Sequence, residues 1–169
     1  MNYRKIASFL AVVVVFVLFL LVFSPSSDLV DAQTSPAPVT GWAWSSNIGW
    51  IRFDHGRANP VSIDDIGNLF GYAWSSNIGW INMNPSGPYP VAESEHGVQL
   101  NKTTGVVTGW ARAISQIDES DGWDGWLRFD HGRASPVTVD LNTGRTDGFA
   151  WGSTVMGWID MSPLVFDRD

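Results

Sequence analysis

Two short segments carry the side chains most suggestive of chemistry: Asp54-His55-Gly56-Arg57 and its near-copy Asp130-His131-Gly132-Arg133. An Asp–His pair can make a base, and a guanidinium can hold an anion at two points. Adjacent residues at a strand end point to opposite sides, however, and no nucleophilic Ser, Thr or carboxylate recurs with them. The same residues suit an Asp-initiated turn with glycine at positive φ and a solvated arginine, and that is the reading favoured here. His96 has no counterpart elsewhere in the chain, so zinc would lack the further ligands it needs. A glycosidase would need paired carboxylates. Besides Asp64 and Asp140, only Asp54 and Asp130 recur in matching segments. A hydrolase is therefore the least supported function, and no catalytic residue or cofactor is implied.

Asp118, Glu119, Asp121 and Asp124 fall within seven residues. Clustered carboxylates suit calcium, but the spacing matches no calcium loop, and a solvated acidic loop is the plainer account. Asn101-Lys102-Thr103 fits an N-glycosylation acceptor. Tryptophan is more informative, with ten in the chain. Trp50, Trp80, Trp126 and Trp158 each follow a glycine and stand two residues before Arg52, Asn82, Arg128 and Asp160. An indole face can stack on the axial hydrogens of a sugar while polar neighbours pair with its hydroxyls, so these eight residues form a candidate glycan platform. The same rings can instead cover strands and pack between units, as aromatic rings commonly do.

A repeat must position these rings. Gly41 opens GWAWSSNIGWIRF and Gly71 opens GYAWSSNIGWINM. Gly109 opens GWARAISQIDESDGWDGWLRF, with an insertion of eight residues, and Gly148 opens GFAWGSTVMGWIDM, with one extra loop residue. FDHGRANPVSID at 53–64 returns as FDHGRASPVTVD at 129–140, an offset of 76. Units therefore alternate, and a duplicated two-unit block with pseudo-twofold symmetry is expected.

Each unit reads as three short antiparallel strands. The first is 61–64, 97–101 or 137–140, the second ends in Trp44, Trp74, Arg112 or Trp151, and the third begins at a Gly-Trp pair. Asp65 to Asn68, Lys102 to Gly105 and Asn142 to Gly144 have the composition of turns. Apart from the N-terminal segment, only 113–117 could hold a helical turn. The fold class is thus all-β, with units at about 41–60, 61–88, 97–136 and 137–163. The first unit lacks its opening strand, whereas 162–167 aligns with 135–140. Residues 164–167 are expected to supply the missing strand and close the array as a small propeller or barrel, with an open β-sandwich as the alternative.

If Ser45 to Ile48 is a four-residue loop, Trp44 opposes Gly49 and Ala43 opposes Trp50. Trp42, Trp44, Ile51 and Phe53 then form the core face, and Gly41, Ala43, Trp50 and Arg52 the outer one. The second unit divides likewise, with Tyr72, Trp74, Ile81 and Met83 facing the core.

Arg4 and Lys5 precede an apolar run from Ile6 to Phe23, and Val30-Asp31-Ala32 suits a signal peptidase. Residues 1–32 are expected to be a signal peptide cleaved after Ala32. The alternative is an uncleaved N-terminal membrane anchor, since an almost unbroken apolar run of 18 residues touches the lower limit for a span. Residues 33–40, with two prolines, read as a linker, which leaves 41–169 as the β-repeat domain. The chain has no cysteine, which excludes disulfides and thiol chemistry. Its net charge of −7 argues against nucleic acid as a partner, and only the N-terminal segment would meet a membrane.

The segments GWAWSSNIGWI and GYAWSSNIGWI resemble repeats of exported bacterial hypothetical proteins, over about residues 40–163, with departures at the loop between second and third strands in units three and four. The resemblance implies an extracytoplasmic location and a repeat architecture, and no activity. The function favoured is a non-enzymatic, secreted or cell-surface binding module for a polysaccharide or cell-envelope glycan. A structural or adhesive protein contacting other envelope proteins is the alternative. Exposed rings at Trp50, Trp80, Trp126 and Trp158 would favour the first, and buried rings the second.

Overall fold

Turn residues punctuate this chain every few positions, and the strands they leave are correspondingly short. In order they are β1 (Ala37–Ser45), β2 (Gly49–Arg52), β3 (Ser62–Ile63), β4 (Leu69–Phe70), β5 (Tyr72–Ser75), β6 (Gly79–Asn82), β7 (Gln99–Leu100), β8 (Val107–Thr108), β9 (Trp110–Ala113), β10 (Trp126–Arg128), β11 (Thr138–Val139), β12 (Thr146–Asp147), β13 (Phe149–Trp151), β14 (Trp158–Asp160) and β15 (Leu164–Phe166). The computed structural model describes residues 35–91, 96–116, 122–132 and 135–167. The expected signal or anchor segment lies outside these residues, as do Asp118, Glu119, Asp121 and Arg133.

The glycine-tryptophan segments form four hairpins, β1–β2, β5–β6, β9–β10 and β13–β14, joined through β2–β5, β6–β9 and β10–β13. Strand β14 returns to β1 through Trp44↔Asp160 and Ser45↔Ile159 and closes an eight-stranded antiparallel barrel. Closure was expected, and it takes the form of a barrel. The shorter strands make a collar beyond it. There β3–β4, β7–β8 and β11–β12 pair, and β15 pairs with β1 at Val39↔Phe166, Thr40↔Val165 and Gly41↔Leu164. Bridges at Ala37↔Ile63, Asn68↔Gln99, Val106↔Thr138 and Arg145↔Val165 complete the ring. The C-terminal residues therefore supply the strand the first unit lacks.

Ala37 to Thr40 are not a tether. They open β1, because Val39 is an apolar residue with a place in the core (1% exposed) and its N–H donates to Val61 O at 2.9 Å.

A narrow barrel leaves little room at its axis, and the sequence meets this with small residues paired across large ones. Ala43↔Ile51, Ala73↔Ile81, Ala111↔Leu127 and Ala150↔Ile159 face one another in the four hairpins, all buried. Next toward the collar come Phe53, Met83, Phe129 and Met161, whose Phe/Met alternation carries the twofold pattern inside a fourfold frame.

The register differs from the expected one by a residue. Ser45 pairs with Gly49, Trp44 with Trp50, Ala43 with Ile51 and Trp42 with Arg52, so the loop has three residues, Ser46 to Ile48. Gly49 (φ 71) takes the left-handed position on which such short loops close. A one-residue slip turns every side chain to the other face. Ala43 is therefore interior, while Trp42 and Trp44 lie outside, each 42% exposed. Ala73 and Trp74 repeat the exchange, as the barrel axis admits a methyl group where it has no space for an indole. Ser45 is fully buried, and its hydroxyl donates to Met156 O and accepts from Asn47 N.

The loops at that rim tie neighbouring units together. Asn77 Nδ2 donates to Ile48 O at 2.9 Å, Asn47 Nδ2 to Thr154 O at 3.1 Å, and Ser115 Oγ to Ile78 O at 2.9 Å. The expected helical turn is a 3-10 turn at Ile114–Gln116. A second turn, α1 (Ser153–Met156), was not expected; the fourth loop's extra residue lets it wrap and bury Met156.

At the collar, Asp64, Asn101 and Asp140 each cap a turn by accepting backbone N–H groups two to four residues on. Burial alone would raise the Asp64 pKa, but hydrogen bonds from the Asn68 side chain and from the Asn68, Ile66 and Gly67 amides outweigh it and hold the carboxyl below its ordinary value. A depressed acid stabilises the fold above its unfolded pKa and loses that contribution as pH falls through the folded one. Asp64→Ala is expected to cost about 1 kcal/mol at neutral pH. Thermal unfolding of the two proteins should converge in acid; a gap that persists unchanged would refute the charge-assisted turn.

Candidate functional site

Since the barrel axis takes small and aliphatic side chains with Phe and Met next to the collar, the tryptophans of the hairpins are left on the outer wall. Trp42, Trp44, Trp50, Trp74, Trp80, Trp110, Trp126, Trp151 and Trp158 all occupy outward positions of barrel strands, alternating with the buried residues between them. The tenth tryptophan, Trp123, is buried in the unit-three loop.

Two junctions between units share one geometry. Where unit one meets unit two, the Trp74 and Trp80 rings are 4.6 Å apart, and His55 stands edge-on to Trp80 at 4.8 Å. Where unit three meets unit four, Trp151 and Trp158 are 4.7 Å apart, and His131 meets Trp158 at 4.5 Å. Arg52 Nε donates to Asp54 at 3.1 Å, and Arg128 Nε to Asp130 at 3.3 Å. Their guanidinium groups lie over Trp42 at 5.2 Å and Trp110 at 5.4 Å.

The two Asp-His-Gly-Arg segments therefore do structural work. His55 Nε2–H donates to Tyr72 O at 2.9 Å, and its Nδ1 accepts Arg57 N at 3.1 Å, so both ring nitrogens are engaged. His131 Nε2–H donates to Phe149 O at 3.0 Å in the same manner. Each histidine joins an odd unit to the next even one and fixes an indole there. Sequence reasoning missed this role, although the recurrence of FDHGR before the same Gly-Trp pair was its signal. Asp54 and Asp130 follow β2 and β10, which stand four places apart in the closed ring of strands.

The candidate platform residues are distributed unevenly. Trp50 is 55% exposed, Trp158 38% and Trp126 only 6%, while Trp80 is half-buried. Trp126 is covered by the Tyr89 ring at 5.4 Å and by the Arg112 guanidinium at 4.8 Å. Burial raises the Tyr89 pKa, and its hydroxyl donates to Pro85 O at 2.6 Å. Asn82 and Asp160 accept the backbone amides of Asn84 and Ser162, so they hold turns beside the wall. Ala43 does not stand opposite Trp50, the pairing the expected register gives; it stands opposite Ile51. The cross-strand partner of Trp50 is Trp44, with ring centroids 6.5 Å apart.

At the unit three–four junction the wall folds into a groove of about 420 Å³, lined chiefly by Trp110, Trp126, Arg128, His131, Trp151 and Trp158. A second cavity, about 370 Å³, is lined at the collar by Ile63, Leu100, Val139 and Phe166 together with Asp64, Lys102, Asp140 and Asp167. Among the described residues no group of three or more His, Asp or Glu side chains is placed to hold a metal ion. Asp124, the one calcium candidate within them, accepts Trp126 N on its carboxylate and Arg112 Nε on its backbone oxygen.

No family model, curated protein or solved structure matches the chain.

Proposed function

We propose that the protein is a non-enzymatic binding module, secreted or held at the cell surface, that takes glycan chains onto its aromatic outer wall. The observation that carries this reading is the exposure of Trp42, Trp44 and Trp50 together on one hairpin, at 42%, 42% and 55%. The barrel core closes without them, and contiguous exposed aromatics on a rigid sheet mark a binding surface. Flat indoles suit the C–H faces of pyranose rings, and the strand below holds them with little freedom to lose on binding.

The test is saturable binding of the full-length protein to a panel of neutral and acidic polysaccharides, followed by tryptophan fluorescence. Trp50→Ala is expected to weaken binding at this hairpin tenfold or more, about 1.4 kcal/mol, without lowering the unfolding temperature. Lys102→Ala, on the collar, should leave binding unchanged. Absence of binding across the panel, together with self-association in sedimentation that Trp50→Ala abolishes, would favour the structural, adhesive role instead.

A further inference from the structure

We infer that the wall carries two glycan sites built from the same side chains on opposite sides of the barrel, so that one molecule bridges two neutral glycan chains. This rests on the glycan reading above and adds the number, place and ligand charge of the sites.

The groove between units three and four is the better enclosed of the two. Its aromatic lining, Trp110, Trp126, Trp151 and Trp158, has Trp42, Trp50, Trp74 and Trp80 as counterparts at the unit one–two junction. Its Arg128 and His131 correspond to Arg52 and His55. The agreement extends to geometry. Tryptophan pairs at 4.7 and 4.6 Å, histidine–tryptophan contacts at 4.5 and 4.8 Å, and arginine–aspartate pairs at 3.3 and 3.1 Å recur in the two places.

The remaining junctions lack the set. After β6 and β14, Met83-Asn84-Pro85 and Met161-Ser162-Pro163 stand where the other units have Phe-Asp-His, and Asn82 and Asp160 replace the arginines. The two complete sites flank β2–β5 and β10–β13, which lie four places apart in the eight-strand ring and so face away from each other.

The sites differ in cover. Pro90 lines the groove of units three and four and Tyr89 packs on Trp126, leaving Trp126 and Trp110 only 6% and 7% exposed. At the other junction Trp50 and Trp42 are open, at 55% and 42%. A walled groove suits a chain end, and an open platform suits a chain interior. Arg52 and Arg128 are each paired with an aspartate, Arg57 and Arg112 lie over Trp80 and Trp126 at 5.9 and 4.8 Å, and these few cations stand in a chain whose net charge is −7. Anionic polymers are therefore repelled, and the ligand class is neutral. Two sites facing apart cannot share one short oligosaccharide, so they join separate chains.

The experiment is calorimetric titration of the full-length protein with hexasaccharides of β-1,4-glucan, chitin and mannan and with acidic hexagalacturonate, beside turbidity with the parent polymers. Two hexasaccharides per protein are expected. Trp50→Ala and Trp158→Ala should each leave one and abolish polymer cross-linking. Trp151→Ala serves as the second groove variant if Trp158→Ala unfolds, judged by thermal denaturation. A single site, or a Trp50→Ala protein that binds nothing, overturns the inference while leaving the glycan reading intact. Tighter binding of acidic than neutral oligosaccharides overturns the ligand class. No saccharide binding of any kind overturns both.

Discussion

Truncation after Pro163 should leave a chain with no cooperative unfolding transition. Strand β15 is small, but it completes both the core and the collar. Leu164 and Phe166 are 3% and 6% exposed, and removing side chains of this size from a core costs about 2–5 kcal/mol each. Its backbone also satisfies neighbours on two sides. Phe166 N donates to Gly144 O at 2.8 Å, Thr146 Oγ1 to Leu164 O at 2.6 Å, and Asp167 N to Pro38 O at 3.0 Å. Deletion exposes β1 along Val39 to Gly41 and leaves Thr146 buried without its acceptor, at a further ~1–3 kcal/mol for each group stranded. The sum rivals the ~5–15 kcal/mol total stability of an ordinary domain. Val165→Ala is the matched control, because Val165 points outward and is 40% exposed; it should change stability by no more than ~0.5 kcal/mol. Near-ultraviolet circular dichroism during heating checks both, and a truncated protein that melts like the parent would show that the barrel does not depend on closure.

That closing strand was legible in the sequence because Ser162 to Asp167 repeats Ser135 to Asp140, and a repeat with a missing first strand requires one from elsewhere. The collar turns were legible for a similar reason: Asp64, Asn101 and Asp140 are followed by glycines at the spacing a capped turn needs. The hairpin register was not. Trp42-Ala43-Trp44 followed by Gly49-Trp50-Ile51 alternates equally well in two registers, and hydrophobicity alone places tryptophan inward. Choosing between them requires knowing how many strands close the barrel, since only that fixes how much volume the axis can hold. Ala37 to Thr40 were misread because proline beside small residues looks like a linker. Pro38 is tolerated there, pairing with Ser62 while its carbonyl still accepts Asp167 N.

The same limit governed the candidate site. Trp50 and Trp80 stand on the outer face as the alternation expects, although the residue opposite Trp50 is Trp44 and not Ala43. Cover over a given ring depends on residues far along the chain. Tyr89 shields Trp126, yet nothing near Trp126 in sequence announces it. Trp44 and Arg112 occupy equivalent places, and this exchange turns a Trp44–Trp50 aromatic pair into an Arg112–Trp126 cation–π contact. The alternating small and large residues inside fix the barrel, which leaves the outer side chains free to differ from one junction to the next.

Replacing Gly71 with alanine should cost about 3 kcal/mol or more, whereas the same change at Gly79 should cost about 1 kcal/mol. Both glycines have positive φ, 88° and 78°, so both substitutions incur the left-handed penalty of about 1–2 kcal/mol. They differ in what surrounds them. A Cβ at Gly79 would meet nothing within 4 Å, but one at Gly71 would sit 2.3 Å from Pro60 O and 2.9 Å from Asn59 O. Those atoms are backbone and cannot swing aside. Gly71 stands in the inward row between Leu69 and Ala73, and the carbonyl of Pro60 fills the space its side chain would take. Gly41, Gly109 and Gly148 repeat the arrangement against Pro163, Gly97 and Pro136, with Cβ approaches of 2.6, 2.1 and 2.2 Å. Each strand thus passes from collar to barrel at a point where another segment of backbone crosses it. At ~4 °C per kcal/mol for a domain of this size, the two variants should separate by roughly 8 °C in thermal unfolding. Equal losses at Gly71 and Gly79 would mean that the left-handed turn alone, and not the close approach of the crossing chain, requires glycine at these bends.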